Sequence, residues 1–248
     1  MVRYAEIDIL KGIAVIFMVI FHIYYYPYHY GYKEIRYDKA PLPLIARIAQ
    51  LIFITSVGIN LVIVYSKKVS TNQTDKEYYE KQLKRIIKLV IGAGFMSLFT
   101  YFIFGDNFVK FGILHFIALG SLLMLPILDK PHVIYGTSIV ILTIYGLKRS
   151  GMKFNIPGPL GFILGLNSQW GSIDHFPLIP WFLVMCLGVL IGHKLKETPL
   201  DVIPENVKEN GSLQLLQKIG SHSFEIYIVH WLVLYLIYSH IYPRFRVS

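Results

Sequence analysis

The chain has 248 residues, of which 54% are hydrophobic and 16% charged, with a formal net charge of +9. Soluble domains carry about 25% charged residues, so this composition excludes an ordinary soluble domain. The single cysteine, Cys186, excludes an intramolecular disulfide and a cysteine-based metal site; within its apolar block it reads as a small buried hydrophobe.

The apolar residues come in blocks of bilayer length, at 8–27, 43–65, 84–104, 111–128, 131–147, 177–195 and 220–241. Tyrosines crowd the block ends as an interfacial aromatic belt does. The chain therefore reads as all-α, a polytopic transmembrane bundle of about seven spanning helices. With no internal repeat and no loop long enough to fold alone, residues 1–248 read as a single domain. The first block carries Asp8 and Lys11 at its start and His22 near its end, with no small-x-small cleavage site after it, so it reads as a retained span. The block at 131–147 is the weakest; without it six spans remain and the C-terminal half inverts. The segment Pro157 to Leu166 is apolar, rich in glycine and proline, and too short to cross. It reads as re-entrant or interfacial.

The basic residues sit in short loops between the blocks, which points to topology and to lipid or phosphate as partners, not nucleic acid. The N-terminus and the loops holding Lys67 to Lys88, Lys130 and Lys194 to Lys218 form the richer side. The N-terminus is therefore expected in the cytoplasm and the C-terminus outside. Asn72-Gln73-Thr74 and Asn210-Gly211-Ser212 fit a glycosylation pattern but fall on the inner side, so they read as chance matches.

Titratable groups inside spans are costly and are the first functional candidates. Asp8 and Lys11 are three residues apart and share a helix face. Lys11 and His22 are eleven apart, which returns to nearly the same face after a rise of roughly 16 Å. One stripe thus carries an acid and a base at the inner mouth and an imidazole about three turns outward. An interfacial ion pair with a snorkelling lysine also accounts for Asp8 and Lys11. Arg47 and Gln50 open the second span from the outer side, and His115 lies one turn into the fourth. Asp174 and His175 precede the sixth, with Trp181 one turn in, and Glu225 and His230 lie within the seventh. An outer cavity surrounded by His22, Arg47, His115 and the Asp174–His175 pair is compatible with this order. The scattered histidines and few acids predict no metal site, and no phosphate-cradling glycine loop or nucleophile elbow is present.

Four segments together resemble the heparan-α-glucosaminide N-acetyltransferase-like membrane proteins, within a wider transmembrane acyltransferase superfamily. They are Asp8-Ile9-Leu10-Lys11-Gly12-Ile13-Ala14 with Met18 and His22; Phe111 to Leu119; Phe176-Pro177-Leu178-Ile179-Pro180-Trp181-Phe182 with Gly188 and Gly192; and Ser223 to Trp231. They occur in the family's order over nearly the whole chain. Where the superfamily has an arginine ten residues before its first-helix histidine, this chain has Lys11, which keeps the charge but loses the planar fork. The heparan enzyme's proposed catalytic histidine lies in the loop after the first helix, where this chain has His29, so His29 rivals His22.

The resemblance implies an acyl-CoA donor, usually acetyl-CoA, entering from the cytoplasm, and a hydroxyl or amine acceptor on a glycan or related small molecule. Lys11, with Lys84, Arg85 and Lys88, would hold CoA phosphates, in a cofactor-binding set that also takes in Asp8, Arg47, Trp181, Glu225 and His230. His22 or His29 would act as general base, with His115, Asp174 and His175 as further catalytic candidates. Arg47, His115 or Trp181 would stabilise the developing oxyanion. Ping-pong and direct transfer both fit, and the chain is compatible with a homo-oligomer in a prokaryotic plasma membrane. A proton-coupled or small-molecule transporter using the same intramembrane groups is the alternative function, though no inverted repeat appears. A non-catalytic membrane subunit is a third.

Overall fold

The computed structural model describes residues 5–29, 32, 34, 36–167, 170–197 and 210–241. Their regular elements are all helical: α1 (Ala5–His29), α2 (Leu42–Ser70), α3 (Asp75–Phe104), α4 (Ile113–Met124), α5 (Pro131–Arg149), α6 (Gly158–Leu164), α7 (Leu178–Glu197), α8 (Gly211–Ser221) and α9 (Ser223–Ile241). Five of them, α1, α2, α3, α7 and α9, are long and apolar enough to cross a bilayer. Helix α4 continues through a 3-10 turn at Leu125–Ile127, where Pro126 lacks the N–H that an α-helix needs, and remains a shorter apolar helix. Helix α5 is not among the five. A helical membrane bundle is the architecture the composition demands, because a helix satisfies its own backbone hydrogen bonds where lipid offers none.

Several boundaries differ from the apolar blocks for local reasons. Helix α3 begins at Asp75, well before the block at 84. Thr74 caps it: its hydroxyl accepts from the Glu77 N–H while the Glu77 carboxylate accepts from the Thr74 N–H, both at 3.3 Å. Capping thus accounts for the threonine of Asn72-Gln73-Thr74. The last block corresponds to α9, and a separate helix, α8, precedes it. Asn210 accepts from the Ser212 N–H at 2.9 Å and starts α8, and the chain leaves helical geometry at His222 before α9 begins at Ser223. Ile179 is extended (φ −100°, ψ 116°), as a residue before proline tends to be, so the continuous part of α7 begins at Pro180. The segment after Pro157 forms the short helix α6, ended by Gly165 at φ +78°.

The chain divides into two compact units, one of 1–56 with 199–248 and the other of 57–198. In the first, α1 packs on α8 and α9. A Cβ added at Gly220 would lie 1.7 Å from the Asp8 carbonyl oxygen, and one at Gly12 2.2 Å from that of Leu216. Only glycine permits this backbone-on-backbone approach, which explains Gly12 in the first motif. Ala14, Val15, Met18 and Ala49 form a core beside it, with Ile226 and Tyr227 of α9 packed against them. In the second unit α3 packs on α4, and α7 on α5, α4 and α6. Gly58 and Gly192 bring α2 against α7: a Cβ on Gly58 would meet the Met185 carbonyl oxygen at 2.4 Å, and one on Gly192 would meet Val62 at 2.9 Å.

Candidate active site

Asp8 is 3% exposed, and its carboxylate pairs with the Lys11 ammonium at 2.6 Å. Burial of a carboxylate requires such a partner. The i, i+3 spacing therefore yields an ion pair at the start of α1, directly where Gly220 closes on the Asp8 carbonyl.

Further along α1, the His22 imidazole donates from Nδ1 to the Met18 carbonyl, one turn back, at 2.8 Å. A carbonyl can only accept, so the proton of the neutral ring resides on Nδ1 and Nε2 carries the lone pair. His230 on α9 is fixed in the same way, its Nδ1 shared between the carbonyls of Tyr227 (2.7 Å) and Ile226 (3.2 Å). The two rings stand edge to face with centroids 5.0 Å apart, and Trp231 lies 5.0 Å from His22. Phenol hydroxyls tie the two helices together: Tyr26, fully buried, donates to the Trp231 carbonyl (3.2 Å), and Tyr238 donates to the Ile23 carbonyl (2.6 Å). The pair of imidazoles therefore sits on a cross-braced aromatic frame. That frame can hold a base in one orientation beside an apolar wall.

In the second unit His115 is also fixed, but through both nitrogens. The Gly112 N–H donates to Nδ1 (3.3 Å), so Nε2 bears the proton and faces Ser97 Oγ (3.3 Å), which in turn donates to the Val109 carbonyl (2.6 Å). This chain of bonds fastens the start of α4 to α3. The segment before α7 joins it: the Phe176 N–H donates to the Phe111 carbonyl and the Ile173 N–H to that of Asn107, each at 2.9 Å. Asp174 reaches the first turn of α4, its Oδ2 accepting from the Ile113 N–H at 3.3 Å. Its carboxyl occupies the space beside Gly112, where a Cβ would lie 2.5 Å from Oδ2. Burial pushes the Asp174 carboxyl up to about 7, against the opposing pull of the Ile113 N–H. His175 stacks on Phe162 (3.9 Å) and donates from Nε2 to its carbonyl (2.9 Å), which anchors α6. Burial lowers its pKa, and the nearby Lys148 charge acts in the same sense.

The family model described as heparan-alpha-glucosaminide N-acetyltransferase, catalytic, matches residues 3–232. The chain belongs to this family. No curated protein and no solved structure matches it. Membership supports a membrane acetyltransferase, and the matched residues take in both histidine clusters.

Of the other candidates in this family member, Lys84, Arg85 and Lys88 are exposed on α3 and Arg47 on α2. Trp181 is buried at 8% exposure, its ring 4.9 Å from that of Phe176. Glu225 is exposed in the first turn of α9. His29 is the last residue of α1, and its side chain lies outside the described residues. Among the described residues no group of three or more histidine, cysteine or acidic side chains could hold a metal. Sequence reasoning missed Ser97, whose only signal was a hydroxyl in an apolar block. It also missed the pairing of His22 with His230, for which a single sequence carries no signal. His22 and Arg47 belong to the first unit, and His115, Asp174 and His175 to the second.

Proposed function

We propose that the chain transfers an acyl group, acetyl in the first instance, from acyl-CoA on the cytoplasmic side to a hydroxyl or amine of a glycan or related acceptor. His22 is the general base. The observation that carries this reading is the Met18 carbonyl on His22 Nδ1: it leaves Nε2 as a lone pair on a ring that cannot turn away. The acceptor O–H or N–H gives its proton to Nε2 as its oxygen or nitrogen attacks the thioester carbon. The thioester C–S bond then breaks to release CoA. Positive charge for the CoA phosphates is available in each unit, from Lys11 in the first and from Lys84, Arg85 and Lys88 in the second. Arg47, in the same unit as His22, is the candidate oxyanion donor. His115, with both nitrogens taken, positions the start of α4.

The N-terminus is assigned to the cytoplasm and the C-terminus to the outside, on the loop charges. The purified protein in detergent, given labelled acetyl-CoA and a panel of glycans and amino sugars, is expected to yield an acetylated acceptor. It is also expected to show a saturable thermal shift with acetyl-CoA that K11A weakens. Absence of both at millimolar acetyl-CoA would overturn the reading. Acceptor uptake into liposomes without CoA would replace it with transport.

A further inference from the structure

His230 Nε2 is buried and has no hydrogen-bond partner among the described residues. A lone pair buried in this way costs free energy, so its retention calls for an explanation. The residue is 6% exposed and its ring is held by two backbone carbonyls, so Nε2 cannot find a partner by rotating into solvent. Its neighbour at 5.0 Å is the ring of His22, fixed as the same tautomer.

The two rings present lone pairs that neither can satisfy for the other while both are neutral. Protonation of His22 changes this. Nδ1–H stays on the Met18 carbonyl and Nε2 turns from acceptor to donor, so the imidazolium has a second N–H in need of an acceptor. Among the described residues the groups facing the rings offer no rival base. Tyr25 of α1 (5.8 Å from His22) and Tyr227 of α9 (5.6 Å from His230) are phenols, and Phe21 and Trp231 complete the ring contacts. Arg47 of α2 and Lys218 and His222 of α8 are exposed. Among the described residues no carboxylate contacts either imidazole. Two positive rings at this separation in an apolar setting repel strongly, so the pair accommodates one added proton and not two.

We propose that His22 and His230 hold a single proton between them, with His230 as the positioning residue that receives the new N–H of protonated His22. This rests on the reading of His22 as the base. The acceptor O–H or N–H bond breaks and its heavy atom bonds to the acyl carbon, while the proton passes to His22 Nε2. The proton stays hydrogen-bonded to His230 Nε2 until the thioester C–S bond breaks, and then moves to the CoA sulfur. No further reactant is required.

Two readouts separate this proposal from the reading beneath it. In the full-length protein, nitrogen-15 NMR of labelled histidines followed through an acid titration should show the two rings taking up one proton together, with both Nδ1 sites protonated throughout. Two complete and independent titrations would overturn the pair, and they would do so even if no acyl transfer were found. In the transfer assay, H230F should lower kcat about tenfold with KM for acetyl-CoA unchanged and should move the acidic limb of the kcat–pH profile. H230Q offers an amide oxygen that accepts but cannot take a proton, and it should recover part of the rate. A folded H230F or H230Q enzyme with the wild-type rate and pH profile would overturn the proposal. Loss of transfer in wild type alone would remove the His22 reading and leave the NMR result to decide the pair.

Discussion

The two units each carry a histidine fixed by backbone, and the contrast lies in what is left over. His115 uses Nδ1 for the Gly112 N–H and Nε2 for Ser97, so its ring is consumed in holding α4 to α3. His22 uses Nδ1 alone, and its neighbour His230 keeps a buried nitrogen without a partner. Both arrangements orient an imidazole, yet only the second leaves a lone pair for a reacting proton. Orientation with a vacancy suits catalysis; orientation without one builds structure.

The largest expected effect breaks this contrast from the catalytic side. H22A should lower transfer by about 10² to 10⁴-fold, the usual contribution of a positioned base, while the melting temperature in detergent stays near wild type. H115A should show the reverse pattern. It strands the Gly112 N–H, leaves the Ser97 hydroxyl only its bond to Val109, and should cost about 1–3 kcal/mol of stability, with transfer per folded molecule largely kept. S97A removes the hydroxyl that links His115 to Val109, and a loss of about 1–2 kcal/mol in a denaturation series would match its two bonds.

The smallest effect is a slope. Asp174 is held near 7 when folded, above the value of about 3.9 of a free carboxyl. The folded state thus binds this proton more tightly than the unfolded chain. Its contribution to stability is complete below about pH 4 and is lost as pH rises through about 7. D174N stays neutral and can still accept from Ile113. Its melting temperature should therefore fall less than that of wild type between about pH 4 and pH 7. An unchanged slope would remove Asp174 from the account.

Much of this was legible from residue order, because bilayer-length apolar blocks leave few architectures open. The Asp8–Lys11 pair followed from i, i+3 spacing, and the segment after Pro157 was legible as too short to cross, though not as the helix it forms. Helix α8 was not legible as a separate element. Its eleven residues lack a bilayer-length apolar run, and its place is set by the contacts of Gly220 and Gly12, which only the folded chain reveals. The early start of α3 was hidden in the same way, because a capping box and a polar first turn leave no mark on hydropathy. The histidines behaved differently from one another for a reason no spacing rule contains. Whether an imidazole keeps a free nitrogen depends on partners such as Ser97, Gly112 and Tyr227, contributed by the folded backbone and by neighbouring helices.

The central claim is that the open nitrogen of His22 is the base for acyl transfer. The most direct measurement compares acetyl transfer from labelled acetyl-CoA by H22A and H115A, each normalised to folded protein in the same detergent. The account predicts that H22A is nearly inactive and well folded, whereas H115A is destabilised and active. An H22A protein that transfers acetyl groups at the wild-type rate would contradict it.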